Sequence, residues 1–482
     1  STAVITGIEL SMSGSMVGSQ AFCKVMGNWV EASDAYVVPA GHVSAWTAAA
    51  TPAQFVGIYL AGFISDRYGR KYVVQGSMVI IFVGAIIETF SRNWIDWLVS
   101  KAVMGLAIGT IQSSTSTYVA EISPRELRGG ALIGFQVFTN IGNLLSAVIL
   151  DLCTKAITDP ADTKQYKIPL YIMIALPVIL SIGIFTMLVE SPSWLVVKDD
   201  LAGARKSIQW IYPYMTPEEV EVELAKIRYT VEKECEQAEA SVSWLMCFRG
   251  TNFRRTIVAL VPGVAWIMSG YIMLCADFFD LAGQENALQS TVIVQCTGLF
   301  FNLVAVALVE NKRVGRFLIY MIGLFFQAGG MLMIGAVGAR WGNPGGSTLA
   351  GNLLIAGLVI SNMGSQLGPQ AVSYLYTSES GSTLLRAKTT SVSQSIIAVL
   401  GQTSGVYLPF MLSSWGPKTG FFFGGFGFFF WIISFFVVPD YTGRSHAQID
   451  ELFTRKISAR KFASTECTGN YGRDVLHETE MH

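Results

Sequence analysis

Charge is what this sequence has least of. Only 14% of its 482 residues are Asp, Glu, Lys or Arg, while 51% are hydrophobic and the mean hydropathy is +0.46. A soluble domain carries roughly a quarter charged residues. The shortage, with repeated apolar runs of about 20 residues, excludes a soluble globular chain and places the protein among polytopic helical membrane proteins. The seven cysteines are odd in number, scattered and without a CxxC pair, so neither a disulfide framework nor a zinc site is indicated. His477 and His482 lack zincin spacing and lie in a polar tail, so no metal is expected there. No GxxxxGK[ST] loop occurs, which excludes direct drive by ATP. No basic region precedes the apolar stretch at Ser1, which reads as a trimmed amino terminus rather than a signal peptide. The net charge of −1 identifies no partner. No cofactor and no nucleic acid are expected.

What is present is a set of twelve apolar spans. The first six cover about 1–20, 43–64, 72–90, 96–119, 129–151 and 168–189; the second six cover about 256–277, 289–309, 317–338, 349–376, 390–412 and 419–438. The chain divides into a six-helix bundle (1–189), a polar helical linker (190–254), a second six-helix bundle (255–438) and a polar tail (439–482). In the linker, Thr216-Pro217-Glu218-Glu219 opens a helix with a threonine cap, a first-turn proline and acids at the positive helix end. Lys and Arg are unevenly placed: 25 of the 33 fall on the side of the Asp66 loop and seven on the other. The positive-inside rule makes that side, and both termini, cytoplasmic.

The cluster Asp66-Arg67-Tyr68-Gly69-Arg70-Lys71 is too costly for hydrocarbon and must be a short loop at the membrane surface. It returns as Glu310-Asn311-Lys312-Arg313-Val314-Gly315-Arg316. Glu121-x6-Arg128 returns as Glu379-x6-Arg386, and Glu190 as Asp440, all at offsets of about 250 residues. Two parallel six-span repeats are the layout of a rocking carrier with its cargo at the midplane between them.

These motifs resemble the major facilitator superfamily, and within it the sugar porter family, above all its fungal maltose and hexose permease-like members. Gly62 through Lys71 is similar to the loop between spans two and three, and Tyr118 through Gly129 to the motif closing span four. Glu190-Ser191-Pro192-Ser193-Trp194-Leu195 is similar to PESPRWL, Glu379 through Lys388 to the second-half span-four motif, and Pro439-Asp440-Tyr441-Thr442-Gly443-Arg444-Ser445 to PETKGRS. The resemblance implies an all-α fold of twelve transmembrane helices in two pseudo-repeats, a plasma-membrane location and a monomer. It also implies that Asp66, Arg70, Glu121, Arg128, Glu190, Glu310, Arg316, Glu379, Arg386 and Asp440 are gating residues. Their pairs would hold the halves together while the pore faces outward and break when it opens inward.

Departures from the family bear on cargo and coupling. Proton-coupled relatives use a span-one aspartate and a span-four arginine; here those positions hold Ser13 and Lys101. Glu9, one turn from Ser13 on the same face, is the candidate replacement with Lys101. Facilitated transport without a proton stays open. Gln136 and Asn302 match sugar-contacting amides, whose paired donor and acceptor suit a hydroxyl. The span-seven amides are replaced by Trp266, Ile267 and Ile272, and Ser373 stands at the usual span-ten tryptophan. Gln402, with Asn140, Asn143, Gln370 and Gln394, can return polar groups to the cavity or can tie helices together. The expected activity is therefore alternating-access transport of a sugar, glycoside or polyol, without catalysis. Transport of a less polar metabolite, export included, is the first alternative. A non-transporting nutrient sensor on the same fold is the second, disfavoured by the short tail.

Overall fold

A computed structural model describes residues 2–17, 19–30, 35–123, 128–157, 159, 162–239, 244–270, 287–309, 314–342, 348–381, 385–442, 444, 446–465 and 467. Glu310 and His477 lie outside the described residues, as do the side chains of Ser13, Arg128 and Arg386.

Each of the twelve expected spans is helical over most of its described residues. The first half holds α1 (Thr2–Met16), α2 (Gln20–Met26), α3 (Ala40–Tyr68), α4 (Arg70–Phe90), α5 (Trp94–Ile122), α6 (Arg128–Ala156) and α7 (Lys164–Met187). Between α2 and α3 a small antiparallel hairpin pairs Asn28–Val30 with Ala35–Val37, Trp29 opposite Tyr36. The linker forms α8 (Pro192–Val197), α9 (Leu201–Ile211) and α10 (Pro217–Glu239). The second half holds α11 (Gly250–Met268), α12 (Ala287–Val309), α13 (Arg316–Trp341), α14 (Thr348–Leu367), α15 (Pro369–Glu379), α16 (Arg386–Trp415) and α17 (Thr419–Val437). Eight described stretches are long and apolar enough to cross a membrane; one of them, Lys388–Val437, contains both α16 and α17.

Local sequence explains the boundaries. Asn93 caps α5 by accepting the N–H groups of Ile95 and Asp96. Thr216 and Glu219 close a reciprocal capping box on α10. Span ten is broken into α14 and α15 because Pro369, which has no N–H to give, occupies the first helical position after Gly368. Gly105 and Gly109 let α5 approach α3: a Cβ at either would run into the carbonyls of Ala50 and Gln54.

Within each half the helices enclose separate apolar clusters, one built around Phe22, Trp46 and Trp97, another around Val372, Tyr376 and Tyr320. The halves meet along two seams, α6 against α12 and α3 against α16. The tail is less independent than its polarity suggests. Tyr441, Phe462 and, on α18 (His446–Thr454), Ile449, Leu452 and Phe453 are buried in the second-half core.

Candidate functional site

A buried charge cluster sits inside the first half. Lys101 on α5 places Nζ 2.6 Å from Glu9 Oε1 on α1 and 2.6 Å from Glu88 Oε1 on α4. All three side chains are at most 6% exposed. The ammonium also lies 4.9 Å from the Trp97 ring centre, a cation–π contact that stabilises a desolvated charge. Glu9 Oε2 and Glu88 Oε2 are buried with no hydrogen-bond partner among the described residues. Glu9 borders a cavity of about 10 Å³, shared with Thr6, Met104, Met173 and Pro177, a volume that holds about one water. Two carboxylates facing one ammonium leave one negative charge unmatched, and one proton would neutralise the set. Glu9 and Lys101 were legible as candidates. Glu88 is not among the candidates that the sequence motifs single out, although an acid in an apolar run is itself a signal.

Amides line both seams. On one, Gln366 of α14 accepts from Asn140 of α6 at 3.0 Å and from Asn302 of α12 at 3.2 Å. Trp266 donates its indole N–H to Ser365 at 2.9 Å, and Gln327 donates to the Trp266 carbonyl. Asn302 Oδ1 and both ends of the Gln370 amide are buried with no partner among the described residues, a state that costs about 1–3 kcal/mol per group unless water or ligand completes it. On the other seam Gln402 of α16 donates to Gln54 of α3, which donates to Gln112 of α5. Gln136 is half-buried on α6 and bonds to no described residue. Ser373 is buried and turned onto its own helix, bonding the Gln370 carbonyl.

The charged face repeats in the two halves. Arg70 grips Glu121 through Nε at 3.1 and 3.2 Å and through Nη2 at 2.9 Å, with Asp66 more distant at 3.5 Å. Glu190 accepts the N–H groups of Arg70, Lys71 and Ser191, an anion on the positive end of α4. In the second half Arg316 pairs with Glu379, its N–H donates to Thr442 at 2.8 Å, and Asp440 holds Thr442. No salt bridge between described residues crosses from one half to the other. The halves instead touch towards the opposite face, where Ser44 donates to the Val406 carbonyl at 2.8 Å and Thr47 meets Gly405.

Residues 11–453 match the model of the family described as "Sugar (and other) transporter". The chain belongs to that family. A general alpha-glucoside permease of Saccharomyces cerevisiae is 31% identical over 425 residues, spanning 86% of this chain and 67% of the permease. A maltose permease of the same yeast is 29% identical over 424 residues, again 86% and 67%. Among solved structures, the inward-open xylose transporter XylE from E. coli superimposes with a TM-score of 0.73 at 15% identity, covering 94% of this chain and 98% of that one. The proton:xylose symporter XylE bound to 6-bromo-6-deoxy-D-glucose gives 0.70 at 16% identity, with the same coverage. The fold is that of the major facilitator superfamily. This member of the sugar-transporter family is therefore a multi-pass membrane carrier that moves a sugar-type small molecule by alternating access, and not an enzyme.

For this transporter the fold gathers the expected residues unevenly. Glu9 meets Lys101, Arg70 meets Glu121, Arg316 meets Glu379, and Trp266 and Asn302 lie on one seam. Gln402 lies on the other. Gln54, Gln112 and Gln366, which complete the amide sets, carried no motif in the sequence and are visible only through their partners.

Proposed function

We propose that the transporter takes up an α-glucoside across the plasma membrane in symport with a proton, its basic face, linker and termini being cytoplasmic. The observation that carries this reading is the buried Glu9–Lys101–Glu88 cluster. It is a charge set short of one proton, held by three different helices of one bundle. Loading the proton removes a buried charge, so α1, α4 and α5 respond to occupancy, which is what coupling a proton to a rocking motion needs. The yeast relatives named for alpha-glucosides and maltose support the substrate class. So does the amide-rich seam, where Asn302 Oδ1 and Gln370 can meet sugar hydroxyls. The charged pairs of Arg70 with Glu121 and Arg316 with Glu379, with Asp66, Glu190, Asp440, Arg128, Glu310 and Arg386, act as the gate. Lying within the halves, the observed pairs suit a carrier closed on the outer side.

The test is maltose uptake into proteoliposomes with and without an imposed inward proton gradient. Accumulation above equilibrium only with the gradient is expected. Glu9→Gln and Glu88→Gln should each abolish accumulation while maltose exchange, which needs no net proton movement, persists. Equilibration indifferent to the gradient would make the protein a uniporter and remove the proton from the mechanism.

A further inference from the structure

Three glutamines meet midway along three spans. Gln54 lies near the centre of α3, Gln112 on α5 and Gln402 near the centre of α16. Gln54 Nε2 donates to Gln112 Oε1 at 2.8 Å, and Gln402 Nε2 donates to Gln54 Oε1. The second bond crosses from one half to the other, at the depth and boundary where a carrier built of two repeats holds its cargo.

The Asn140–Gln366–Asn302 group crosses the other seam, and an apolar strip joins the two. Trp266 bonds Ser365, the neighbour of Gln366, and packs with Ile267 and Ile397. A Cβ at Gly401, the neighbour of Gln402, would stand 3.4 Å from Ile267 Cδ1. The sequence of surfaces is amide, then aromatic and aliphatic, then amide.

We infer that Gln54, Gln112 and Gln402 form a second sugar subsite, which holds the second ring of an α-linked disaccharide while the Asn302 side holds the first. The inference rests on the sugar reading above and extends it to substrate length. A pyranose carries hydroxyls on its rim and C–H groups on its faces. Two linked rings therefore call for two hydroxyl-binding patches with apolar surface between them. Each glutamine presents both donor and acceptor. Sugar hydroxyls can thus replace the amide–amide bonds in kind, leaving no buried group unpaired. Amides that only tied helices together would affect one-ring and two-ring ligands alike.

The experiment measures maltose uptake into proteoliposomes, with methyl α-glucoside as a one-ring competitor, for wild type, Gln112→Met and Gln54→Asn. Methionine keeps the length of glutamine without its hydrogen bonds. Asparagine keeps the amide but withdraws it by one methylene, and serves if Gln112→Met does not fold. The KM for maltose should rise about tenfold, while inhibition by methyl α-glucoside stays within twofold of wild type. Parallel losses for both ligands, or an unchanged maltose KM, overturn the subsite. Wild-type protein that binds neither sugar overturns the sugar reading and the subsite together, a result read without any variant.

Discussion

At the scale of single residues, the chain spends its few charges where geometry multiplies their effect. Glu190 illustrates this: one carboxylate satisfies three backbone N–H groups and lies directly under Gly69. Gly69 has φ 107° and ψ 162°, a conformation that essentially only glycine adopts. A Cβ there would also strike the Glu190 carboxylate. Gly69→Ala is expected to destabilise the protein by about 1–3 kcal/mol, read as a lower melting temperature in detergent. An unchanged melting temperature would mean that the loop rearranges freely.

At the scale of elements, α18 is part of the second half rather than an appendage. Arg254 on α11 donates to the Ile457 carbonyl at 2.6 Å and lies over the rings of Phe453 and Phe462. Arg255 pairs with Asp450, and Arg460 lies between Phe317 and Phe435. Arg444 closes the segment by donating to the carbonyls of Phe462, Ala463 and Thr465. Burial shifts the Tyr441 phenol above its ordinary value. Phe453 is 1% exposed, so Phe453→Ala should cost about 3–5 kcal/mol, measured by thermal unfolding of the purified protein. A loss below about 1 kcal/mol would show that the segment packs without contributing to the core.

At the scale of the whole molecule, the two halves are held by amide and backbone contacts in the middle and towards the face opposite the basic loops. A Cβ built at Gly405 would lie 3.9 Å from Thr47 Cβ, within the range that a disulfide spans. The double variant Thr47→Cys/Gly405→Cys should therefore cross-link on oxidation, halt transport, and recover with reductant. Transport that continues in cross-linked protein would show that α3 and α16 do not separate at this end during the cycle.

Much of this was legible in the sequence because the membrane leaves few choices. Apolar runs of spanning length must become helices, since only a helix satisfies its own backbone in hydrocarbon. Charged loops must then lie at the surface, and the repeat of Gly69-Arg70 at Gly315-Arg316 gave the two halves. Lys101 and Glu9 stood out because charge is rare in such spans. What the sequence could not supply was partnership across distance. Glu88 is thirteen residues from Lys101, yet the two meet only because α4 and α5 pack side by side. Gln366 joins Asn140 across 226 residues of chain, and Gln402 joins Gln54 across 348. A lone amide in a span reads the same whether it ties helices or binds cargo, because its chemistry is fixed by its neighbours. The sequence by itself determined the solvent, the span count and the duplication, which follow from local hydropathy and recurring motifs. The tertiary structure decided which charges share a proton-sized deficit and which amides face one another across the seam, because those depend on how separate helices pack.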